Sequence, residues 1–484
     1  MTLVETFLNT CKRLAQKTAV IDSHGAVTYN DLRIEAISKT TQLLSENTGS
    51  HIGILLPNCK EFVTTFYGIL MAGKIPVPLN YLLSQAQLLY VIQNAGIDTV
   101  FTNSLFKPHL GNQIRHILSA EEKSPCATAE ENKITQGMED DLAALLYTSG
   151  TNANPKGVML SHRNFLSNLE GCVHAFNFTE RDILLGVLPL FHTYALTTTL
   201  ILPVNVGATM VYLTRFSGPK VLEAVEKYKI TSLFAIPSMY RVLLRTAESV
   251  NHDLSTLRLC TSGGEPLPGD VLELFNKTFP VPLTEGYGLT EATAVVSVNL
   301  PEKCKPGSIG PPLGNLEVKI LNDDGQKLPL NKEGEICVKG PNVMKGYYKL
   351  PKETAETITS DGWLKTGDYG KLDNEGFLWI TGRKKELIII SGENVSPNEI
   401  EQVISGHEKV FEVAVIGVPD KLRGEAPKAF IALHESAMCT EEEIRNYCMQ
   451  RLPHYKVPKY YEFLKELPHG PTGKVLKRAL KQLT

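Results

Sequence analysis

Small hydroxyl residues, glycines and a lysine follow an apolar run in residues 145–157. The residues that open this loop are Thr148, Ser149, Gly150 and Thr151. Such a loop can place backbone N–H groups and hydroxyls around phosphate oxygens, while Lys156 adds a positive charge. The spacing is not that of a P-loop, because Gly157 rather than Ser or Thr follows Lys156. By itself the segment fits a phosphate site and a polar surface turn equally well.

A second segment, residues 284–291, sets an aromatic residue between two glycines and ends on a hydroxyl and a carboxylate. Gly286 and Gly288 would let a planar base approach the backbone, and Tyr287 can stack on that base. Thr290 can donate to a phosphate, and Glu291 can bind a hard cation such as Mg²⁺. The simpler alternative is a helix-capping Thr-Glu pair after a turn.

Four more motifs follow toward the C-terminus. They are GWLKTGD at 362–368, GRKKE at 382–386, SGENVSP at 391–397 and PTGK at 471–474. Together with the two segments above, and in this order, they resemble the adenylate-forming superfamily of acyl-CoA synthetases, firefly-type luciferases and peptide-synthetase adenylation domains. The resemblance covers nearly the whole chain, from Thr28 to Lys474.

The resemblance implies an ATP site. Its phosphate loop would consist of residues 148–151 and Lys156. Its adenine side would be lined by Gly263, Gly264, Glu265 and Pro266, and by Gly286, Tyr287 and Gly288. In this arrangement Tyr287 would stack on the adenine ring.

The resemblance also assigns the polar groups around the ribose and the phosphates. Asp368 would hold the ribose hydroxyls, with Arg383 nearby. Thr290 would touch the α-phosphate, while Glu291 and Thr148 would face Mg²⁺.

The implied activity is the ATP- and Mg²⁺-dependent conversion of a carboxylate into an acyl-adenylate, followed by transfer of the acyl group to coenzyme A. A carboxylate that attacks a phosphate needs added positive charge in the transition state. Lys474 would supply it from a mobile C-terminal domain that pivots at Lys385. A stand-alone ligase that loads an acyl or amino acid onto a carrier protein's phosphopantetheine arm uses the same residues and stays an alternative.

One departure from the family pattern concerns the phosphate loop, where Asn152 and Ala153 replace the usual hydroxyl residue and glycine. A Cβ at residue 153 restricts the backbone, which motivates a third reading: a catalytically silent nucleotide-binding relative. The intact Glu291, Asp368 and Lys474 favour the enzyme.

Residues 188–193 match the wall of the family's acyl pocket and bring Phe191 and His192 to it. Amino-acid-activating relatives carry an aspartate close to this position, and an unpaired ammonium in an apolar pocket would be costly. The alternative for His192 is a core histidine that is hydrogen-bonded to the backbone. Small and apolar residues at 292–298 suit an aliphatic or aryl acid. The sequence therefore predicts a fatty or other apolar substrate.

Short apolar runs alternate with amphipathic helical patterns through most of the chain, which predicts an α/β fold with largely parallel sheets. The predicted strands are 51–56, 142–147, 231–235 and 257–261, and the helices that follow them are 61–72, 162–176, 238–247 and 268–279. Gly- and Asp-rich turns from about residue 313 predict a small β-rich subdomain. We expect a large domain at 1–384 and a small, mobile α+β domain at 385–484.

Composition excludes several classes of protein. The 484 residues carry 49 Lys and Arg against 52 Asp and Glu, so no net positive field is available for nucleic acid. The nine cysteines are scattered without a CxxC pair, which fits a reducing cytoplasm. Residues 1–20 lack the apolar block of a secretory signal. Residues 183–214 carry no charge, but prolines and threonines make them a poor membrane span, and we expect no integral membrane association.

Overall fold

The structure is a computed structural model that describes residues 1–110, 114–121, 134–148, 154–250, 252–390, 393–420, 422–469 and 475–483, with the side chains of 393–394 left out. It divides into two compact units. The first comprises Met1–Val318 and Val338–Leu364, and the second comprises Lys319–Cys337 and Lys365–Thr484.

The first unit opens with a hairpin and a parallel α/β layer. Its elements are α1 (Leu3–Arg13), β1 (Thr18–Asp22), β2 (Gly25–Thr28), α2 (Tyr29–Ser45), β3 (His51–Leu55), α3 (Lys60–Met71), β4 (Ile75–Pro78), α4 (Gln85–Ala95), β5 (Thr99–Thr102) and β6 (His116–Ser119). A four-stranded parallel sheet has the order β4-β3-β5-β6. Ser84 forms a capping box at the start of α4, and the left-handed Gly96 ends that helix.

The middle of the chain builds the largest sheet. Its elements are β7 (Leu142–Thr148), β8 (Lys156–Ser161), α5 (His162–Phe176), β9 (Ile183–Gly186), α6 (Thr193–Ala195), a π-helical turn (Leu196–Ile201), α7 (Leu202–Val206), β10 (Thr209–Tyr212), α8 (Gly218–Tyr228), β11 (Ser232–Ala235), α9 (Pro237–Ala247), β12 (Leu259–Ser262), α10 (Gly269–Thr278), β13 (Leu283–Tyr287) and β14 (Ser297–Val298). Eight strands run in the order β14-β13-β12-β11-β9-β10-β1-β2. Only the edge strands β2 and β14 pair antiparallel, so the carboxyl ends of β11, β12 and β13 meet at one edge, where α/β proteins bind ligands.

Shorter strands follow. They are β15 (Glu317–Leu321), β16 (Gly334–Lys339), β17 (Gly346–Tyr347), β18 (Leu364–Leu372) and β19 (Leu378–Arg383), with α11 (Pro351–Thr357) after β17. The strands β17, β8 and β7 form an antiparallel sheet in the first unit. A second small sheet has the order β15-β16-β18-β19.

The C-terminal part of the second unit is α+β. Its elements are β20 (Ile388–Ile390), β21 (Glu393–Val395), α12 (Pro397–Ser405), β22 (Val410–Asp420), β23 (Gly424–Leu433), α13 (Glu441–Met449), β24 (Tyr460–Phe463) and α14 (Lys477–Leu480). The helices α12 and α13 bury Ile400 and Ile444 against Val415 and Ile431 of the sheet. Burial of this apolar surface is the main source of stability for so small a layer.

The predicted α/β architecture is confirmed. The predicted helix at 162–176 has the bounds of α5, and the ends of the other predicted strands and helices differ from the observed ones by at most two residues. The uncharged residues 183–214 form five short elements of the core. Among the described residues, none of the helices has both the length and the apolar character needed to cross a bilayer.

Residues 319–337 and 365–384 group with the C-terminal residues in the second compact unit. The predicted domains at 1–384 and 385–484 stay a prediction. The predicted pivot at Lys385 concerns motion between domains. It stays a prediction.

Candidate active site

The predicted phosphate loop joins two antiparallel strands. Thr148 ends β7 and lies opposite Lys156, the first residue of β8. The hairpin therefore fixes the two ends of the loop beside each other. Ser149, Gly150 and Thr151 lie outside the described residues, as do Asn152 and Ala153, so their roles stay predictions.

Lys156 and Glu291 contact the same aromatic side chain. The Nζ atom of Lys156 lies 4.9 Å from the centroid of the Tyr347 ring. The phenol of Tyr347 donates a hydrogen bond to Oε1 of Glu291, with 2.8 Å between the oxygens. The structure thus brings the predicted phosphate-binding cation and the predicted metal ligand together. Tyr347 had no assigned role in the sequence analysis, because 56 residues separate it from Glu291.

The backbone around Gly288 explains why a glycine is required there. A Cβ at this position would lie 1.3 Å from the carbonyl oxygen of Ala294. No side chain fits at that distance. The amide of Val296 donates to the carbonyl of Tyr287 at 2.8 Å, which folds the following residues back along the aromatic residue.

The turn that carries Thr290 and Glu291 has a strained backbone. Thr293 and Ala294, which follow it, both adopt left-handed φ values, +54° and +77°. Each such non-glycine residue costs on the order of 1–3 kcal/mol and persists only where the surroundings enforce it. Strain of this kind is concentrated at functional sites.

Buried amides hold this turn in place. The Nδ2 atom of Asn342 donates to the carbonyl of Ala292 at 2.8 Å, and Oγ1 of Thr293 donates to the carbonyl of Asn342 at 2.6 Å. Asn168, on α5, donates to the carbonyl of Val295 at 2.6 Å. Both asparagines are fully buried. We call Asn342, Asn168 and Thr293 the amide clamp.

The two motifs of the predicted adenine side lie on neighbouring parallel strands, with Ser262 of β12 paired to Glu285 of β13. Gly264 has φ +83°, a left-handed conformation that favours glycine. Oε1 of Glu285 accepts a hydrogen bond from the amide of Leu267 at 2.9 Å. Residues 263–266 are therefore tied to the strand that carries Tyr287.

Burial raises the pKa of Glu285 to about 7, although the amide of Leu267 opposes that shift. No role for Glu285 was predicted from the sequence. The signal available was that Glu285 is the one charged residue of β13 and directly precedes the first glycine that flanks Tyr287.

Aromatic side chains build the predicted acyl-pocket wall. The rings of Phe191 and Tyr81 meet edge to face at 4.9 Å, and Tyr81 stacks on Phe106 at 4.8 Å. His192 lies beside Phe191, with 4.6 Å between ring centroids. The side chain of Asn58 holds this segment by bonding to the backbone of residues 188 and 190. No motif in the sequence linked Tyr81, Phe106 or Asn58 to Phe191.

The second unit contains the predicted ribose pair. Asp368 and Arg383 are opposite residues of the antiparallel strands β18 and β19. The Nε atom of Arg383 lies 3.0 Å from Oδ1 of the buried Asp368. The backbone at Gly367 is left-handed, with φ +73°, and turns the strand directly before the aspartate. The two residues therefore lie next to each other within this unit, and their predicted roles at the ribose stay predictions.

Lys385 is exposed and belongs to a short 3₁₀ turn, Lys384–Glu386, between β19 and β20. Its neighbour Glu386 forms an ion pair with Lys477 at 3.1 Å, and Lys477 also pairs with Glu401 at 2.9 Å. Lys474 lies outside the described residues, so its predicted role stays a prediction.

Comparison with known proteins places these features in a family. The family model described as "AMP-binding enzyme" matches residues 7–348, and "AMP-binding enzyme C-terminal domain" matches residues 399–474. The chain is 35% identical to a long-chain-fatty-acid–CoA ligase of Bacillus subtilis, over 99% of this chain and 94% of that protein.

Solved structures support the same family membership. ATP-bound MatB from Rhodopseudomonas palustris superimposes with a TM-score of 0.92 at 30% identity, over 100% of this chain and 99% of the other. The o-succinylbenzoate CoA synthetase of Bacillus subtilis, in complex with ATP and magnesium ion, gives 0.89 at 33% identity, over 98% and 99%. The chain therefore belongs to the AMP-binding enzyme family, among its adenylate-forming acid–CoA ligases.

Proposed function

We propose that the acid activated by this AMP-forming acid–CoA ligase is apolar, either a fatty acid or a related aliphatic or aryl acid. The observation that carries the proposal is the aromatic wall formed by Phe191, Tyr81 and Phe106. Residues 188–193 contain no acidic residue that could pair with a substrate ammonium. The similarity to a long-chain-fatty-acid–CoA ligase supports the same class of acid.

The reaction has two steps. The carboxylate attacks the α-phosphorus of ATP, the bond between that phosphorus and the α,β-bridging oxygen breaks, and pyrophosphate leaves. The thiolate of CoA then attacks the acyl carbon and releases AMP. Each step needs positioned charge rather than a covalent enzyme intermediate.

We assign the stabilisation of negative charge in the first step to two lysines, Lys156 and Lys474, and to the hydroxyl of Thr290. Lys156 begins β8 beside the phosphate loop, so it suits the β- and γ-phosphates. Thr290 lies on the strained turn next to the glycine-flanked tyrosine, so its hydroxyl suits the α-phosphate. Lys474, delivered by the C-terminal domain, would neutralise the charge that develops on attack.

The residues present fit Mg²⁺, because Glu291 and Thr148 offer a carboxylate and a hydroxyl oxygen, the hard donors that this ion prefers. When bound, Mg²⁺ would offset the charge of the phosphates as a Lewis acid. Tyr287, with residues 263–266 and Gly286, suits the adenine ring, and Asp368 with Arg383 suits the ribose.

The acceptor thiol is that of CoA, in keeping with the relatives above. Loading of a carrier protein has no specific observation in its favour. An enzyme that consumes ATP and CoA needs a compartment that supplies both, and the described cysteines are all free thiols, so we place it in the cytoplasm. We also propose that Lys385 is the pivot about which the domain from 385 to 484 turns between the two steps.

The test is the exchange of labelled pyrophosphate into ATP, measured over a panel of acids. We expect exchange with aliphatic or aryl acids and little with the matching amino acids. Acyl-CoA formation after addition of free CoA then identifies the acceptor. A preference for amino acids would refute the proposed substrate class while leaving the ligase chemistry intact.

A further inference from the structure

Backbone hydrogen bonds hold Tyr347 between two parts of the proposed nucleotide site. Its strand β17 pairs with β8, the strand that begins at Lys156, and the amide of Tyr348 donates to the carbonyl of Gly157 at 2.7 Å. Three residues before Tyr347, the amide of Met344 donates to the carbonyl of Glu291 at 2.8 Å. The position of the tyrosine is therefore fixed from both sides.

The side chain of Tyr347 contacts both charged groups. Its O–H donates to Oε1 of Glu291 at 2.8 Å, and the Nζ atom of Lys156 lies 4.9 Å from its ring centroid. The ring is buried, with 9% of the residue exposed. The phenol of a tyrosine keeps its proton at neutral pH, so the hydroxyl is a hydrogen-bond donor there.

Binding of ATP and Mg²⁺ is easier if Lys156 and Glu291 do not neutralise each other. If the two side chains formed an ion pair, each would satisfy the other, and ATP and Mg²⁺ would have to break that pair to bind. Within the part of the chain that the structure describes, no ion pair joins them. A phenol hydrogen bond and a cation–π contact leave both charges unneutralised, so an incoming phosphate or metal meets them without first breaking an ion pair.

We propose that Tyr347 is a positioning residue with two separable functions. Its O–H orients the Glu291 carboxylate toward the metal, and its ring holds Lys156 at the phosphate side and away from that carboxylate. The inference rests on the proposed function, because it takes Lys156 and Glu291 to be the groups that meet the magnesium–ATP complex.

Two substitutions separate the functions. Tyr347→Phe removes the O–H and keeps the ring, so we expect ATP to bind in EDTA as in the wild type. The Mg²⁺ concentration that half-maximally strengthens ATP binding should rise about tenfold, the effect of one hydrogen bond to a charged group. Tyr347→Leu removes the ring as well and lets Lys156 pair with Glu291. ATP binding should then weaken several-fold even in EDTA.

The experiment is titration calorimetry of ATP into the full chain without any acid, in EDTA and over a series of MgCl₂ concentrations. Tyr29→Phe is the matched control, because its buried phenol donates to the carbonyl of Ala208 at 2.6 Å and, among the described residues, makes no hydrogen bond to a proposed site residue. Melting temperatures of all variants report any general loss of stability.

The inference is overturned if Tyr347→Phe shows the Mg²⁺ dependence of the wild type and of Tyr29→Phe. It is also overturned if Tyr347→Leu binds ATP in EDTA as tightly as Tyr347→Phe does. Pyrophosphate exchange by the wild type reports separately on the proposed function. If the wild type exchanges pyrophosphate and Tyr347→Phe has an unchanged Mg²⁺ dependence, the role of Tyr347 alone is rejected. If the wild type neither exchanges pyrophosphate nor binds ATP, the role of Tyr347 and the proposed function are both rejected.

Discussion

The hydroxyl of Thr193 donates a hydrogen bond to the hydroxyl of Thr290, with 3.0 Å between the oxygens. Thr193 is the last residue of the predicted acyl-pocket wall and begins α6, and Thr290 begins the turn that carries Glu291. Because Thr290 accepts this bond, its own proton points away from Thr193. The contact therefore couples the wall that receives the acid to the hydroxyl that we assign to the α-phosphate.

Thr193→Val should lower the rate of adenylation about tenfold, because the Thr290 hydroxyl loses the donor that orients it. The KM for the acid should change little, since valine keeps the shape of the wall. Thr193→Ser, which keeps the donor, is the control and should retain most of the rate. Both are measured by pyrophosphate exchange. Equal rates for the valine and serine variants would contradict the assigned orientation.

Asn342→Ala should destabilise the protein by about 1–3 kcal/mol, because it leaves the buried carbonyl of Ala292 without its donor. It should also lower the exchange rate at saturating substrates, since the turn with Thr290 and Glu291 loses part of the amide clamp. Denaturant unfolding measures the first effect and pyrophosphate exchange the second.

Asn315→Ala is the matched control for the amide clamp. Asn315 donates to the carbonyl of Ser167 on α5 at 2.6 Å and makes no hydrogen bond to residues 290–296. It should cost similar stability and leave the exchange rate near that of the wild type. Parallel losses of rate in both variants would mean that the clamp acts only through stability.

Lys474→Ala should abolish most adenylation, with a loss of about 10²–10³-fold in rate, while ATP binding is largely kept. The reason is that the lysine would act on charge that exists only in the transition state. Lys465→Ala removes an exposed lysine of the same unit and should have no such effect. Unchanged pyrophosphate exchange in Lys474→Ala would exclude its catalytic role.

Glu285 should make the stability of the protein depend on pH between about 4.5 and 7. Its pKa is raised to about 7 in the folded chain from 4.5, so the folded state binds the proton more tightly than the unfolded state does. The stabilisation from protonated Glu285 is complete below pH 4.5 and is lost as the pH rises through 7. Above that pH the buried carboxylate is charged and unfavourable.

Glu285→Gln removes this titration and keeps an oxygen for the amide of Leu267. The variant should gain stability over the wild type as the pH is raised from 5 to 8, by roughly 1–3 kcal/mol. Denaturant unfolding at several pH values measures the difference. A difference that stays constant over this range would show that Glu285 does not titrate as described.

Site residues could be predicted from the sequence where they are neighbours in the chain. Gly288, Thr290 and Glu291 lie within four residues, and the structure supplies a reason for the glycine in the contact with Ala294. The helix at 162–176 was also predictable, because a serine N-cap and an amphipathic pattern define it locally.

Prediction failed where partners are distant in sequence. Tyr347 reaches Glu291 through the pairing of β17 with β8, and Asn168 reaches Val295 across 127 residues. Neither contact has a local pattern, since one buried tyrosine or asparagine looks like any other. The aromatic contact of Tyr81 with Phe191 was missed for the same reason. The compact units likewise bring together segments that are distant in sequence, such as 319–337 and 365–484.

The most direct test of the account is pyrophosphate–ATP exchange by the wild-type chain with Mg²⁺ and a series of aliphatic and aryl acids. The account predicts exchange that requires both an acid and Mg²⁺, because only formation of an acyl-adenylate is reversed by pyrophosphate. ATP binding without any acid-dependent exchange across the whole series would contradict it and would indicate a catalytically silent nucleotide-binding protein.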